Sequence, residues 1–213
     1  MIVSTAKGEK ANITLPDGTK VVINGESVIR YSPGRYNEEE RGVSLEGEAY
    51  FDVVKNASVP FIVYSDGVKL KVLGTKFNIV NHKVNSDAEI FLEQGKVFLQ
   101  ALHSANAIIL EPNQKAVLNK MTGTFQVDQE ISRRALSWMK GELYFSDTPL
   151  QIVIKGLEKC YGVRIKQLPV SLNKDVFSGT LPTDDILEAL NIIKGVYNLS
   201  YVVSDSTIVL SIR

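Results

Sequence analysis

The chain has 213 residues, 44% of them hydrophobic, with 24 Lys and Arg balanced by 24 Asp and Glu and a single Cys. Zero formal charge with no basic stripe excludes a protein that binds nucleic acid electrostatically, because such proteins concentrate cations to displace counterions from phosphates. No run of about 18 nearly uncharged apolar residues occurs, so no membrane span is predicted. The first residues also lack the basic and apolar regions of a signal peptide.

The first 125 or so residues read as short strands separated by turns. Asp17-Gly18, Asn24-Gly25 and Pro33-Gly34 are turn signals, and the run Glu38-Glu39-Glu40-Arg41 reads as a charged, solvated loop. Ser65-Asp66-Gly67 and Thr122-Gly123 supply further turns. Val68, Leu70 and Val72 alternate with Lys69 and Lys71, the period of a half-buried strand. Ile90-Phe91-Leu92 and Val97-Phe98-Leu99 flank Glu93-Gln94-Gly95-Lys96, which predicts a hairpin. Many short strands at even spacing fit a sandwich, a barrel or a solenoid, and the pattern alone leaves all three open.

The pattern changes near Asp128. Residues 129–139 read as a short helix or linker carrying Trp138, and from Glu142 onward strand and helix signals alternate. Leu143-Tyr144-Phe145 is strand-like, and Thr148-Pro149-Leu150-Gln151 has the form of a capping box. Val153, Ile154, Leu157 and Tyr161 follow at helical spacing, Gly162 is a natural stop, and Val163-Arg164-Ile165 alternates as a strand. The plan then repeats. Val176-Phe177-Ser178-Gly179 reads as a strand, and Thr183 as a helix cap with Asp184 and Asp185 at the positive end of the dipole. Ile186, Leu187, Leu190, Ile193 and Tyr197 form the predicted apolar stripe, and strands at 199–203 and 207–212 close the chain. Two strand-helix-strand units in tandem predict a small α/β domain.

Catalytic chemistry is hard to assemble from this inventory. His82 and His103 are the only histidines, which leaves too few ligands for a transition-metal site, and Cys160 beside a helical apolar stripe reads as a small buried hydrophobe. There is no Gly-x-Ser-x-Gly elbow and no phosphate-binding glycine loop. Glu46, Glu48 and Asp52 lie on one strand-like segment, with Glu46 and Glu48 about 7 Å apart on a shared face. Such a pair could serve a glycan-processing site, although a solvated strand face is the simpler reading. The aromatic residues Trp138, Tyr144, Tyr161, Tyr197 and Tyr201 of the α/β part are what remain, and they favour a binding or signalling protein over an enzyme.

Several ordered motifs resemble a known family. Leu15-Pro16-Asp17-Gly18-Thr19, then Val22-Ile23-Asn24, the run from Arg41 to Val53, Pro60-Phe61-Ile62-Val63 and Val72-Leu73-Gly74-Thr75-Lys76-Phe77-Asn78 resemble the periplasmic region of FecR-type anti-sigma factors. Trp138, Gly141, Leu143, Phe145, Pro149 and Leu150, with Leu157 and Tyr161, resemble the C-terminal domain of Bacteroidetes-type members. The resemblance implies a mainly β fold: a solenoid-like or sandwich-like subdomain over 1–128, a linker over 129–141, and a β-α-β, β-α-β-β subdomain like the secretin/TonB short N-terminus over 142–213.

Complete members begin with a cytoplasmic helical segment that holds an extracytoplasmic-function sigma factor, followed by one transmembrane helix. This chain therefore reads as the periplasmic portion of a single-span inner-membrane protein. The implied partner is the periplasmic signalling domain of a TonB-dependent outer-membrane receptor, with no cofactor and no catalysis. A sheet edge and flanking aromatics of the second subdomain are the expected contact, with Leu143, Tyr144, Phe145 and Tyr161 first and Trp138 and Tyr201 beside them. The rivals are a carbohydrate-binding or glycan-processing β-domain built on Glu46, Glu48 and Asp52, and a structural envelope protein that assembles through the same edge.

Overall fold

Alternation of buried Arg41, Val43, Leu45, Ala49 and Phe51 with less buried neighbours makes Arg41–Asp52 one long strand, and this strand organises everything before residue 136. The structure is a computed structural model. It describes residues 1–36, 38–130, 132–166, 172 and 174–212, with Arg35 described by its backbone alone. The chain forms two units, Met1–Ala135 and Leu136–Arg213.

In the first unit one half-sheet runs in the order β11 (Ala107–Leu110), β10 (Val97–Ala101), β7 (Val68–Val72), β6 (Phe61–Ser65), β5 (Arg41–Asp52), β4 (Val28–Tyr31) and β1 (Ile2–Ser4). The other runs β2 (Ala11–Thr14), β3 (Lys20–Ile23), β5, β8 (Lys76–Asn81), β9 (Asp87–Gln94), β12 (Gln114–Asn119) and β13 (Thr124–Gln129). The first part of β5 pairs with β4 and β6, and its last part with β3 and β8, so β5 belongs to both.

Gly47 marks the change of partners. Its φ of 104° favours glycine, and a Cβ there would lie 2.7 Å from the Cα of Ser27. Side chains from both half-sheets join one core, in which Phe51 stacks on Phe77 at 5.0 Å and meets Phe61 edge-on at 5.8 Å. Among the described residues of this unit only β5 and β6 pair in parallel. Antiparallel half-sheets around one core are the sandwich-like form, since a solenoid coils its strands in parallel.

The predicted hairpin is not formed. β9 pairs with β8 and β12, whereas β10 pairs with β7 and β11, so Gly95-Lys96 carries the chain from one half-sheet to the other. Period-two alternation reports which face of a strand is buried, and both strands bury a face in the same core without being partners. The family-like motif Val72–Asn78 likewise spans two strands: β7 ends at Val72, β8 starts at Lys76, and the link changes half-sheets. Arg41 is also not a solvated loop residue. It opens β5 fully buried, with Asp17 2.8 Å away.

The chain leaves the first unit through α1 (Ser132–Leu136) and a 3-10 turn, Ser137–Lys140; Ile131 of the predicted linker lies outside the described residues. In the second unit β14 (Glu142–Pro149) pairs with β16 (Val176–Pro182), and β15 (Arg164–Lys166), β18 (Thr207–Ile212) and β17 (Leu199–Ser204) form a separate sheet. Helices α2 (Leu150–Tyr161) and α3 (Ile186–Tyr197) complete the β-α-β, β-α-β-β order. Leu150, Val153, Ile154 and Leu157 of α2 meet Ala189, Leu190 and Ile193 of α3 in a second core with Phe177, Leu181, Leu199, Ile208 and Leu210. Each buried Val, Leu or Ile among them contributes about 2 kcal/mol.

Three local expectations are corrected. Thr148 does not cap α2: it lies in β14 opposite Phe177, its hydroxyl bonds to Ser146, and Pro149 stands at the N-cap without a side-chain bond. α3 is capped by Asp185 and not by Thr183. The Asp185 carboxylate accepts from the N–H groups of Leu187 (2.8 Å) and Glu188 (3.2 Å), while Thr183 N–H donates to Gly141 O. Leu187 is exposed and Ala189 is buried in its place, because Leu187 sits about 100° around the helix from Ile186, off the stripe. Gly162 ends α2 in the left-handed conformation, as its position predicts.

Candidate partner-binding surface

β14 holds the expected contact residues, and strand alternation sorts them into two faces. Leu143 and Phe145 pack on the second core. Phe145 meets Phe177 edge-on at 6.0 Å, and a Cβ on Gly156 of α2 would lie 3.3 Å from its ring, so helix and strand approach closely here. Tyr144, half-buried and in register with Thr180, is on the opposite face. Among the described residues β14 pairs with β16 alone, which leaves it the outer strand of a two-stranded ribbon.

The ribbon is distorted just beyond Phe145. The register shifts between Phe145 and Thr148, with Asp147 at a φ of 46°. Asp147 N–H donates to Ser178 Oγ (2.7 Å), and that hydroxyl donates to the Asp147 carboxylate (3.1 Å). Such a bulge twists the outer strand and limits how far another strand could continue along it.

Tyr161 and Tyr201 act from the ends of this architecture. The Tyr161 hydroxyl donates to Pro182 O (2.6 Å) and the Tyr197 hydroxyl to Val176 O (2.8 Å), so the final residues of the two helices pin the two ends of β16. Burial, reinforced by the Cys160 thiol and by Asp184, Asp185 and Glu188, pushes the Tyr161 phenol up to about 12. Tyr201, on β17, donates to Asn191 Oδ1 (2.9 Å) and lies under the Lys194 ammonium at 5.8 Å. Trp138 is half-buried in the 3-10 turn, where its carbonyl accepts from Gly141 N–H (3.1 Å).

The structure thus brings Leu143, Phe145 and Tyr161 together around the ribbon and α2, puts Tyr144 on the ribbon's other face, and places Tyr201 on the second sheet. Cys160 is half-buried and not fully buried, its Sγ 3.9 Å from Thr183 O. Sequence reasoning missed Val202 and Val203, which are exposed on β17, a strand paired only with β18 among the described residues. Their signal was present: two adjacent valines in a strand cannot both face the core.

The carboxylates of the glycan reading are each engaged elsewhere. Glu46 pairs with Lys83 (3.0 Å), Asp52 with Lys76 (3.1 Å), and Glu48 accepts from the amides of Asn24 (2.8 Å) and Asn78 (3.0 Å). His103 is exposed in a turn.

Residues 1–98 match the family described as FecR protein, and residues 142–210 match the family described as FecR, C-terminal. Over all of its length the chain is 31% identical to a "putative anti-sigma factor from Parabacteroides distasonis ATCC 8503", whose 1.65 Å crystal structure superposes with a TM-score of 0.76 over 99% of that chain. The chain belongs to the FecR family of anti-sigma factors. A second crystal structure with the same description, at 2.50 Å, gives the same identity, coverage and TM-score. No curated protein matches. The FecR family is a regulatory one. Among the described residues of this member no helix is long and apolar enough to cross a membrane.

In the FecR part the family-like motifs prove to be structural. Asp17 of the Leu15–Thr19 motif accepts from Thr19 N–H (3.0 Å) and Oγ1 (2.7 Å) to close the turn, and the same carboxylate binds Arg41. Arg41 also donates to the carbonyls of Val54 (2.7 Å), Asn56 (3.4 Å) and Val59 (2.9 Å). The sequence shows the turn at Asp17-Gly18 but not the cation that meets it, because 24 residues separate the two.

Proposed function

We propose that this FecR-family chain is the extracytoplasmic sensor portion of an anti-sigma factor. It binds the periplasmic signalling domain of a TonB-dependent outer-membrane receptor through its second unit and thereby regulates an extracytoplasmic-function sigma factor held by a cytoplasmic segment outside this sequence. The observation that carries this reading is β14: the strand with the family-like Leu143-Tyr144-Phe145 run is paired on one side only among the described residues. An outer strand supported from beneath by Leu143, Phe145 and Tyr161 is a pre-organised receptor for a partner strand, and an aromatic on its other face supplies an anchor. Trp138 and Tyr201 flank it in this proposal.

Titration of the chain with a purified receptor signalling domain tests the assignment. Tyr144→Ala is expected to weaken binding by about tenfold or more, the usual scale for truncating an aromatic anchor, while the melting temperature of the chain stays near that of the unaltered protein. Unchanged affinity in Tyr144→Ala and in a charged Tyr144→Lys variant would remove β14 from the interface.

A further inference from the structure

The first unit carries a groove of about 680 Å³ that the proposed receptor contact does not use, lined in part by Lys55, Lys71, Leu73, Lys96, Phe98 and Ile109. Its floor is the outer face of the half-sheet. Phe98 of β10 stands in register with Lys71 of β7 on one side and Ile109 of β11 on the other, so the three form one cross-strand row. Leu73, Phe98 and Ile109 are 44%, 40% and 59% exposed, an apolar trough left open to water. The ammonium groups of Lys55 and Lys71 make no ion pair or hydrogen bond among the described residues, and Lys96 holds the exposed carboxylate of Glu111 at 3.0 Å.

The groove is built rather than incidental. Its wall is the segment 53–60, which returns the chain from β5 to β6. Asn56 N–H donates to Leu73 O (2.7 Å), Val53 N–H to Thr75 O (3.0 Å), and Thr75 Oγ1 to Lys96 O (3.1 Å). A Cβ on Gly74 would lie 2.6 Å from Lys55 Cα, so only a glycine lets the wall sit this close. From beneath, the buried Arg41 guanidinium holds three carbonyls of the same wall, and Asp17 holds the guanidinium. At its far side the groove ends on β11, which pairs only with β10 among the described residues.

We propose that this groove docks an extended segment of a partner protein in which acidic and apolar side chains alternate. The segment crosses the strands of the trough: its carboxylates reach Lys55 and Lys71, its apolar side chains lie over Leu73, Phe98 and Ile109, and its far end reaches the outer edge of β11. Alternation suits an extended chain, because one set of side chains then points down and the other toward the rim. The β11 edge favours a peptide over an anionic lipid, which would meet the trough and the lysines but has no backbone groups to offer the strand.

Selection of a random peptide library on the immobilised full chain tests this. Acidic-apolar alternating sequences are expected to be enriched. Synthetic peptides of that class should bind about tenfold more weakly to Lys55→Glu/Lys71→Glu, and similarly to Phe98→Ser, with binding falling as salt rises. All three positions are exposed, so melting curves should remain close to the unaltered protein, and peptide binding should slow hydrogen exchange in β11. Enrichment of no such class, equal binding by the variants, or charge-dependent binding of decanoate or phosphatidylglycerol vesicles without any peptide class would overturn the proposal. Affinity for a receptor signalling domain, which concerns the second unit, is measured separately on the same variants, so failure of either proposal leaves the other to its own test.

Discussion

Arg41 and Asp17 show how one pair of side chains decides a local architecture. A buried cation is tolerable only when its charge and its donors are met, and here one carboxylate and three carbonyls take four of the five N–H groups. Asp17→Ala leaves the guanidinium buried without its counter-ion, so the first unit is expected to lose about 3–5 kcal/mol in denaturant unfolding. A loss below about 1 kcal/mol would mean that the carbonyls suffice. Tyr161 makes a prediction in pH. Its phenol lies at about 12 in the folded protein against 10.0 ordinarily, so between these values the unfolded chain gives up a proton that the folded chain keeps. Its contribution to stability is therefore complete below about 10 and disappears as pH rises through about 12. Tyr161→Phe is expected to lose about 1 kcal/mol at neutral pH, from the bond to Pro182, yet to decline less steeply than the unaltered chain in unfolding curves taken above pH 10. Equal slopes would contradict this role for the phenol.

Element boundaries depend on neighbours as much as on the residues that form them. The sequence around Thr148 satisfies every requirement of a capping box, but pairing of β14 with β16 extends through Pro149, and the strand claims the threonine. At α3 the nearest residue to the helix wins: Asp185→Ala is expected to lower stability by about 1 kcal/mol, whereas Thr183→Val should change it little, a comparison that thermal melts can make directly. In β5, Gly47→Ala puts a side chain into Ser27 at a left-handed backbone position, with an expected loss of about 2 kcal/mol or more. A neutral result in urea unfolding would show that β5 can change half-sheets without that conformation.

Across the whole molecule, helical stripes and strand alternation made the second unit legible almost element by element, because its helices and strands alternate along the chain, each with its own period. The first unit was legible as strands but not as pairings. Ile90–Leu92 and Val97–Leu99 show why: inward and outward faces are written in each strand, while the partner of each strand depends on how β5 divides itself between two half-sheets. The candidate surface was legible in part. Aromatic residues announced the region, but only the backbone direction of β14 separates Tyr144 from Leu143 and Phe145, and the valines of β17 were passed over as ordinary strand. Hydrogen exchange of the full chain, measured with and without a saturating receptor signalling domain, tests the central claim most directly. Slowed exchange concentrated in Glu142–Phe145 of β14 is the predicted result, and an unchanged β14 with protection elsewhere, or no complex at all, would contradict it.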